Sequence, residues 1–147
     1  MQDRFEAFTV LIAKISRSIR RIKADEMAEY DLKATHVNCL YYLYSAGGMT
    51  AAELCEKCEE DKAAISRSLE YLEANGYVEG ERGAGKRYRS RMQLTEKGEK
   101  TAESIARKID GIVEWASADV SPEDREAMYR ALTAISVHLE DRSERSL

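Results

Sequence analysis

The stretch TAAELCEKCEEDKAAISRSLEYLEANGYVEGERGAGKRYRSRMQLTEKG, Thr50–Gly98, decides how this chain is read. Thr50 can accept a hydrogen bond from the backbone three residues on, and Glu53 can reach back to it. This reciprocal capping box predicts a helix from about Ala51 to Cys58. After the acidic turn Glu59-Glu60-Asp61, Asp61 is suited to cap a second helix that runs through Glu73. Ile65, Leu69 and Leu72 recur at helical spacing and give that helix one buried face, and Asn75-Gly76 supplies its left-handed stop. Gly80, Gly83 and Gly85 then rule out a continuing helix, so Tyr77-Val78 and Tyr88 to Leu94 are expected as two strands around a glycine-bearing tip. Thr95 caps the helix that follows. The order is short helix, tight turn, helix, hairpin.

Outside this stretch the chain reads as helical. Phe5, Phe8, Ile12, Ile15, Ile19 and Ile22 form one stripe along a helix of about six turns. Its near-heptad regularity suits packing on the chain's own core or on another subunit. A further helix covers Ala34 to Ser45, carries CLYYLY and ends at Gly47-Gly48. Beyond Thr95 the stripe is Ile105, Ile109, Ile112 and Ala116. Ser121-Pro122-Glu123-Asp124 then starts a last helix, expected to bury Met128, Leu132, Ile135 and Leu139.

A length of 147 residues suits one compact unit, and 44% hydrophobic with 34% charged residues fits a soluble, mostly helical protein rather than a disordered chain. No apolar run approaches the roughly 18 residues of a membrane span, and MQDRFEAF lacks the basic-then-apolar order of a signal peptide. Three cysteines, an odd number, argue for reduced thiols rather than a disulfide framework. A cytoplasmic protein without membrane contact is expected.

Charge is distributed unevenly. The net charge is -4, yet Lys62–Leu94 holds seven basic against four acidic residues, a net of +3, while Thr95–Leu147 holds eight against twelve, a net of -4. Arg82, Lys86, Arg87, Arg89 and Arg91 crowd the hairpin with no acid between Arg82 and Gln93. Affinity for a phosphate backbone depends on the local patch, so the acidic total does not exclude nucleic acid. A helix-turn-helix whose second helix enters a major groove, beside a basic hairpin that reaches phosphates or the minor groove, is the physical reading.

The sequence also resembles the MarR family of winged helix-turn-helix transcription regulators. The likeness rests on TAAELCEKCEEDKAAISRSLEYLEANGYVEGER and on Leu94-Thr95-x-x-Gly98 after the second wing strand, within a frame of long helices that covers nearly the whole chain. It implies a mainly α fold with a small β-hairpin wing. Residues 34–98 would be the DNA-binding lobe, and residues 1–30 and 100–147 the flanking dimerisation helices. It further implies a homodimer on a pseudo-palindromic double-stranded operator, acting as a ligand-responsive repressor. Ser66 and Arg67 align with a family Thr/Ser-Arg pair that faces DNA, and both lie off the Ile65-Leu69-Leu72 face. The expected DNA-binding residues are Lys62, Ser66, Arg67, Lys86, Arg87, Arg89 and Arg91. The wing departs from the family pattern, because Lys86 stands where an orienting Asp is common and Tyr88 where its Arg partner is common. Arg87 or Arg89 would serve instead, in a wing that grips phosphate more than it reads bases.

The remaining signals are weaker. Cys55 and Cys58 form a C-x-x-C with no second ligand pair, so no metal is expected and buried structural thiols are the default, with a redox-sensing regulator as an alternative. His36 and His138 are isolated in sequence and are expected to be structural. The resemblance implies a small aromatic or anionic effector, and Tyr41, Tyr44 and Trp115 are the pocket candidates. No nucleophile elbow, phosphate-cradling glycine loop or cofactor motif occurs, so neither an enzyme nor a cofactor is expected. The acids Glu56, Glu59, Glu60 and Asp61 favour one rival reading, a winged-helix adaptor that binds protein instead of DNA.

Overall fold

A computed structural model describes residues 4–80 and 90–146. In chain order the elements are α1 (Arg4–Met27), a 3-10 turn (Ala28–Tyr30), α2 (Ala34–Ala46), β1 (Met49–Thr50), α3 (Ala51–Cys58) and α4 (Lys62–Ala74). These are followed by β2 (Val78–Gly80), β3 (Arg91–Leu94), α5 (Glu96–Ala116) and α6 (Pro122–Arg145). The chain divides into two compact units, Met1–Ile109 and Asp110–Leu147, and the division falls within α5.

The helix starts follow the capping chemistry. Thr50 Oγ1 accepts from Glu53 N at 3.2 Å while Thr50 N donates to Glu53 Oε2 at 2.9 Å, which closes the capping box of α3. Asp61 Oδ1 accepts from Ala64 N at 2.7 Å to open α4, and Ser121 Oγ accepts from Asp124 N at 3.1 Å to open α6. Each such cap contributes about 1 kcal/mol by satisfying a backbone donor that the helix leaves bare.

The two expected strands pair antiparallel, Val78 opposite Leu94 and Gly80 opposite Met92. A third strand joins them: β1 pairs with β3 through Met49–Met92 and Thr50–Arg91, so the sheet order is β1-β3-β2 rather than a lone hairpin. Two residues are too short to show a period, and the Gly47-Gly48 turn and the cap at Thr50 masked the strand in the sequence. Gly48 sits at φ 128, and a Cβ there would meet Met92 O at 3.2 Å, so the close approach of β1 to β3 requires glycine.

The core of the first unit lies where α2, α3 and α4 meet the sheet. Leu40, Leu43, Leu54, Ile65, Leu69, Leu72, Val78 and Met92 are all at most 2% exposed. The Leu-Thr-x-x-Gly segment fastens α5 to this core. Thr95 N donates to Tyr77 O at 3.0 Å, and Thr95 Oγ1 donates to Gly76 O at 2.5 Å and accepts from Gly98 N at 3.1 Å. A Cβ on Gly98 would lie 2.0 Å from Tyr77 O, so no other residue fits there. Further along α5, Lys108 pairs with Glu29 and lies 5.2 Å above the Tyr30 ring, and Tyr30 Oη shares a 2.7 Å hydrogen bond with Ser104. Lys108 holds the Glu29 carboxyl below the usual carboxylate range.

The apolar rows of the two end helices lie open. Along α1, Phe8, Ile12, Ile15 and Ile19 are exposed, as are Met128, Leu132, Ile135 and Leu139 on α6. The expected burial of the α6 stripe does not occur within the chain, because among the described residues no other element of its own unit covers that face. No helix of the described residues is long and apolar enough to cross a membrane.

Candidate nucleic-acid interface

Helix α4 is amphipathic, with an inner face that is fully consumed. Ile65 and Leu72 are 0% exposed and Leu69 is 2%, while Ser68, on the same side, is buried. The outer face carries Lys62 and Arg67 exposed and Ser66 half-buried. Because the inner face cannot rotate out of the core without losing about 1.5–3 kcal/mol per apolar side chain, the direction of Arg67 is set by packing.

A second set of contacts, missed in the sequence, ties α4 to the start of α2. Tyr71 Oη donates to Asp31 O at 2.8 Å, and its ring stacks on His36 with centroids 4.3 Å apart and an interplanar angle of 3°. His36 Nδ1 in turn accepts from Lys33 N at 3.0 Å, replacing a side-chain N-cap for α2. His36 is therefore structural, as expected. Burial, with the Lys33 charge in support and Asp31 opposing, holds its imidazole below the usual range. The available signal was the row Ala64, Ser68, Tyr71, which runs beside the buried stripe at helical spacing and ends in an aromatic. Its partners lie some 40 residues away in sequence, which no local pattern reports.

Between these elements lies an open cleft of about 710 Å³, whose lining includes Asp31, Lys33, Thr35, His36, Arg67 and Tyr71. A more enclosed cleft of about 330 Å³ lies between α1 and α2, where Arg20, Lys23 and Lys33 bring three positive charges against the single acid Glu60. Neither lining contains Tyr41, Tyr44 or Trp115. The two tyrosines are about 40% exposed on α2, and Trp115 is 77% exposed on the second unit's part of α5.

Of the hairpin residues, Lys86, Arg87 and Arg89 lie outside the described residues, as do Arg82, Gly83 and Gly85. Arg91 opens β3, and its Nη2 donates to Gly48 O at 2.7 Å. This bond spends one guanidinium donor on fixing the α2–β1 turn against the sheet and leaves others for a ligand. The acids beside α4 are likewise partly spent: Asp61 caps α4 and Glu53 closes the box of α3, whereas Glu56, Glu59 and Glu60 are exposed. Among the described residues no group of His, Cys, Asp and Glu could hold a metal ion.

This arrangement of buried helix-turn-helix, three-stranded sheet and long α5 is a winged helix. The MarR family model matches residues 30–87, which take in α2, α3, α4 and β2. The chain is also 34% identical over 120 residues to the HTH-type transcriptional regulator YwoH of Bacillus subtilis, itself uncharacterized, covering 80% of this chain and 87% of that one. The chain belongs to the MarR family. Members of the MarR family are transcription regulators, not enzymes. Two solved structures share the fold. NMB1585, a MarR family regulator from Neisseria meningitidis, superposes with a TM-score of 0.80 at 18% identity, over 99% of this chain and 100% of that one. MepR of Staphylococcus aureus, solved in complex with DNA, gives 0.78 at 21% identity, over 93% and 99%.

Proposed function

We propose that this MarR-family chain is a homodimeric, sequence-specific reader of double-stranded DNA. In this reading it is a cytoplasmic, ligand-responsive repressor on a pseudo-palindromic operator, with residues 34–98 as its DNA-binding lobe and residues 1–30 and 100–147 as its dimerisation helices. The observation that carries the reading is α4, whose apolar face is locked in the core while Lys62, Ser66 and Arg67 occupy the outer one. A locked helix presenting a guanidinium is what direct readout needs, since a bidentate Arg–guanine pair is worth about 1–3 kcal/mol of discrimination only when its position is fixed. That MepR, which shares the fold, has been solved in complex with DNA supports DNA as the ligand.

The basic residues divide the work. Arg67 and Ser66 contact base edges, while Lys62 and the hairpin cations Lys86, Arg87, Arg89 and Arg91 hold phosphates. The exposed apolar rows of α1 and α6 favour a second copy as their cover, and two-fold symmetry then sets half-sites about one helical turn, roughly 10 bp, apart. For the effector, the lining of the 330 Å³ cleft suits a small anion with an apolar body. Tyr41, Tyr44 and Trp115 remain the aromatic candidates for contact with the effector.

Titration of a selected duplex at several salt concentrations tests the assignment. Arg67→Ala should weaken affinity about tenfold or more and relax the preference at one base pair. Replacing Arg87 and Arg89 should weaken all duplexes alike and flatten the salt slope by about one for each phosphate no longer neutralised. Unchanged affinity and preference in Arg67→Ala would remove α4 from the interface. The adaptor reading draws on Glu56, Glu59 and Glu60, exposed just before α4. It predicts that the folded protein passes through a heparin column without retention.

A further inference from the structure

Packing of the inner face settles where the backbone of Arg67 points, but not where its guanidinium comes to rest. That group sits at the end of a long, flexible and exposed stem. A stem free to swing loses rotamer entropy before it can pair with one base, so sharp readout needs something beside the helix to confine it. The cleft between α2 and α4 supplies such a wall. Arg67 and Tyr71 stand one helical turn apart on α4 and share the lining of this cleft with Asp31, Lys33 and His36. Side chains on a helix lean toward its N-terminus, so Tyr71 leans over the turn that carries Arg67.

The ring of Tyr71 is itself braced on its face and at its tip. Its face lies on His36 with centroids 4.3 Å apart and 3° between the planes, and its Oη donates to Asp31 O at 2.8 Å. His36 is 7% exposed, and its Nδ1 accepts from Lys33 N at 3.0 Å, which fixes the imidazole plane on which Tyr71 rests. Asp31 offers its carbonyl from the left-handed region at φ 55, a conformation that few residues besides glycine, asparagine and aspartate adopt. A half-buried tyrosine is not needed to keep α4 in place, because Ile65, Leu69 and Leu72 already do so.

We propose that Tyr71, braced by His36 and Asp31, is the positioning residue for Arg67. It touches no base itself; it walls one side of the cleft, so that the guanidinium is confined to the poses that reach a base edge in the major groove. Its hydroxyl proton is committed to Asp31 O, so it offers no donor to a phosphate, and its effect falls on discrimination between base pairs rather than on the grip of the backbone. The inference rests on the DNA-reading function proposed above and adds the residue that sets how sharply one base pair is read.

The test titrates the full chain with a selected duplex and with the same duplex changed at one base pair, the pair that Arg67→Ala no longer distinguishes, each at several salt concentrations. The parent's ratio of affinities is expected to be about tenfold or more, the worth of one good base pairing. Tyr71→Ala should bring that ratio close to one while affinity for the changed duplex and the salt slope stay as in the parent. Tyr71→Phe, which keeps the stack and gives up only the Oη bond, should fall between the two. His36→Ala, which removes the stacking partner, should lower the ratio, and His36→Phe, which supplies another ring, should raise it again. Tyr71→Ala added to Arg67→Ala should change nothing further at that pair. An unchanged ratio in Tyr71→Ala would overturn the proposal, and so would a loss shared equally by both duplexes, the result expected of a tyrosine that only stabilises the lobe. Losses that add in the double variant would show that Tyr71 does not act through Arg67. If Tyr71→Ala fails to fold, Tyr71→Phe and the two His36 variants decide by the same ratio. A parent that binds no duplex fails the function proposed above and takes the positioning role with it; a parent and variants that all discriminate alike fail the positioning role alone.

Discussion

Helix α4 buries Ile65, Leu69 and Leu72 to 2% exposure or less, whereas α6 carries Met128, Leu132, Ile135 and Leu139 at the same helical spacing and leaves them 36–58% exposed. The two stripes read alike in the sequence. What separates them is whether neighbouring elements of the same unit supply a covering face. Helices α2, α3 and α4 are joined by short turns that bring apolar faces together, and the capping residues Thr50 and Asp61 fix where those turns end. Helix α6 follows a turn capped by Ser121 and meets no such partner among the described residues of its own unit. Periodicity establishes that an apolar face exists; it does not say what covers it. A row of four exposed apolar side chains, each worth about 1.5–3 kcal/mol when fully buried, is a strong drive toward a second surface.

The contrast can be broken most forcefully at the joint of the closed lobe. Gly98→Val places a side chain where even a Cβ would sit 2.0 Å from Tyr77 O, so β2, Thr95 and the start of α5 cannot all keep their places. The expected destabilisation is about 4 kcal/mol or more, read as a collapsed urea midpoint. Leu72→Ala, fully buried on α4, should cost about 2–5 kcal/mol in the same measurement. Leu132→Glu on α6 should do the reverse: thermal stability of the monomer changes by no more than about 0.5 kcal/mol, while sedimentation shows weakened self-association. A dimer as tight as the parent's would show that the α6 row does not form the subunit interface. The smallest effect belongs to His36. Its folded-state imidazole is held below the ordinary value of about 6.5 found in the unfolded chain, so its contribution is fully present above that pH. It fades as pH falls through the ordinary range toward the folded value. The melting temperature should therefore decline on acidification in the parent and less so in His36→Gln.

Much of the lobe was legible because its signals are local. A capping box, an Asp N-cap, an Asn-Gly stop and three glycines each act over a few residues, and all of the corresponding helix ends stand where those residues put them. Ser66 and Arg67 were named from the family resemblance, and both stand off the apolar stripe of α4 in the structure. What stayed hidden is long-range. The two-residue β1, the hydrogen bond of Arg91 to Gly48 and the stack of Tyr71 on His36 join segments that no periodicity connects. The hairpin cations Lys86, Arg87 and Arg89 lie outside the described residues and rest on the sequence alone.

The most direct test of the account is selection of bound sites from a random duplex pool, followed by titration of the recovered duplex with its stoichiometry determined by sedimentation. The expected result is a two-fold symmetric consensus with half-sites about 10 bp apart, two chains per duplex, and an affinity that falls linearly with salt on logarithmic axes. Folded protein that enriches no sequence, or that binds one chain per asymmetric site, would contradict it.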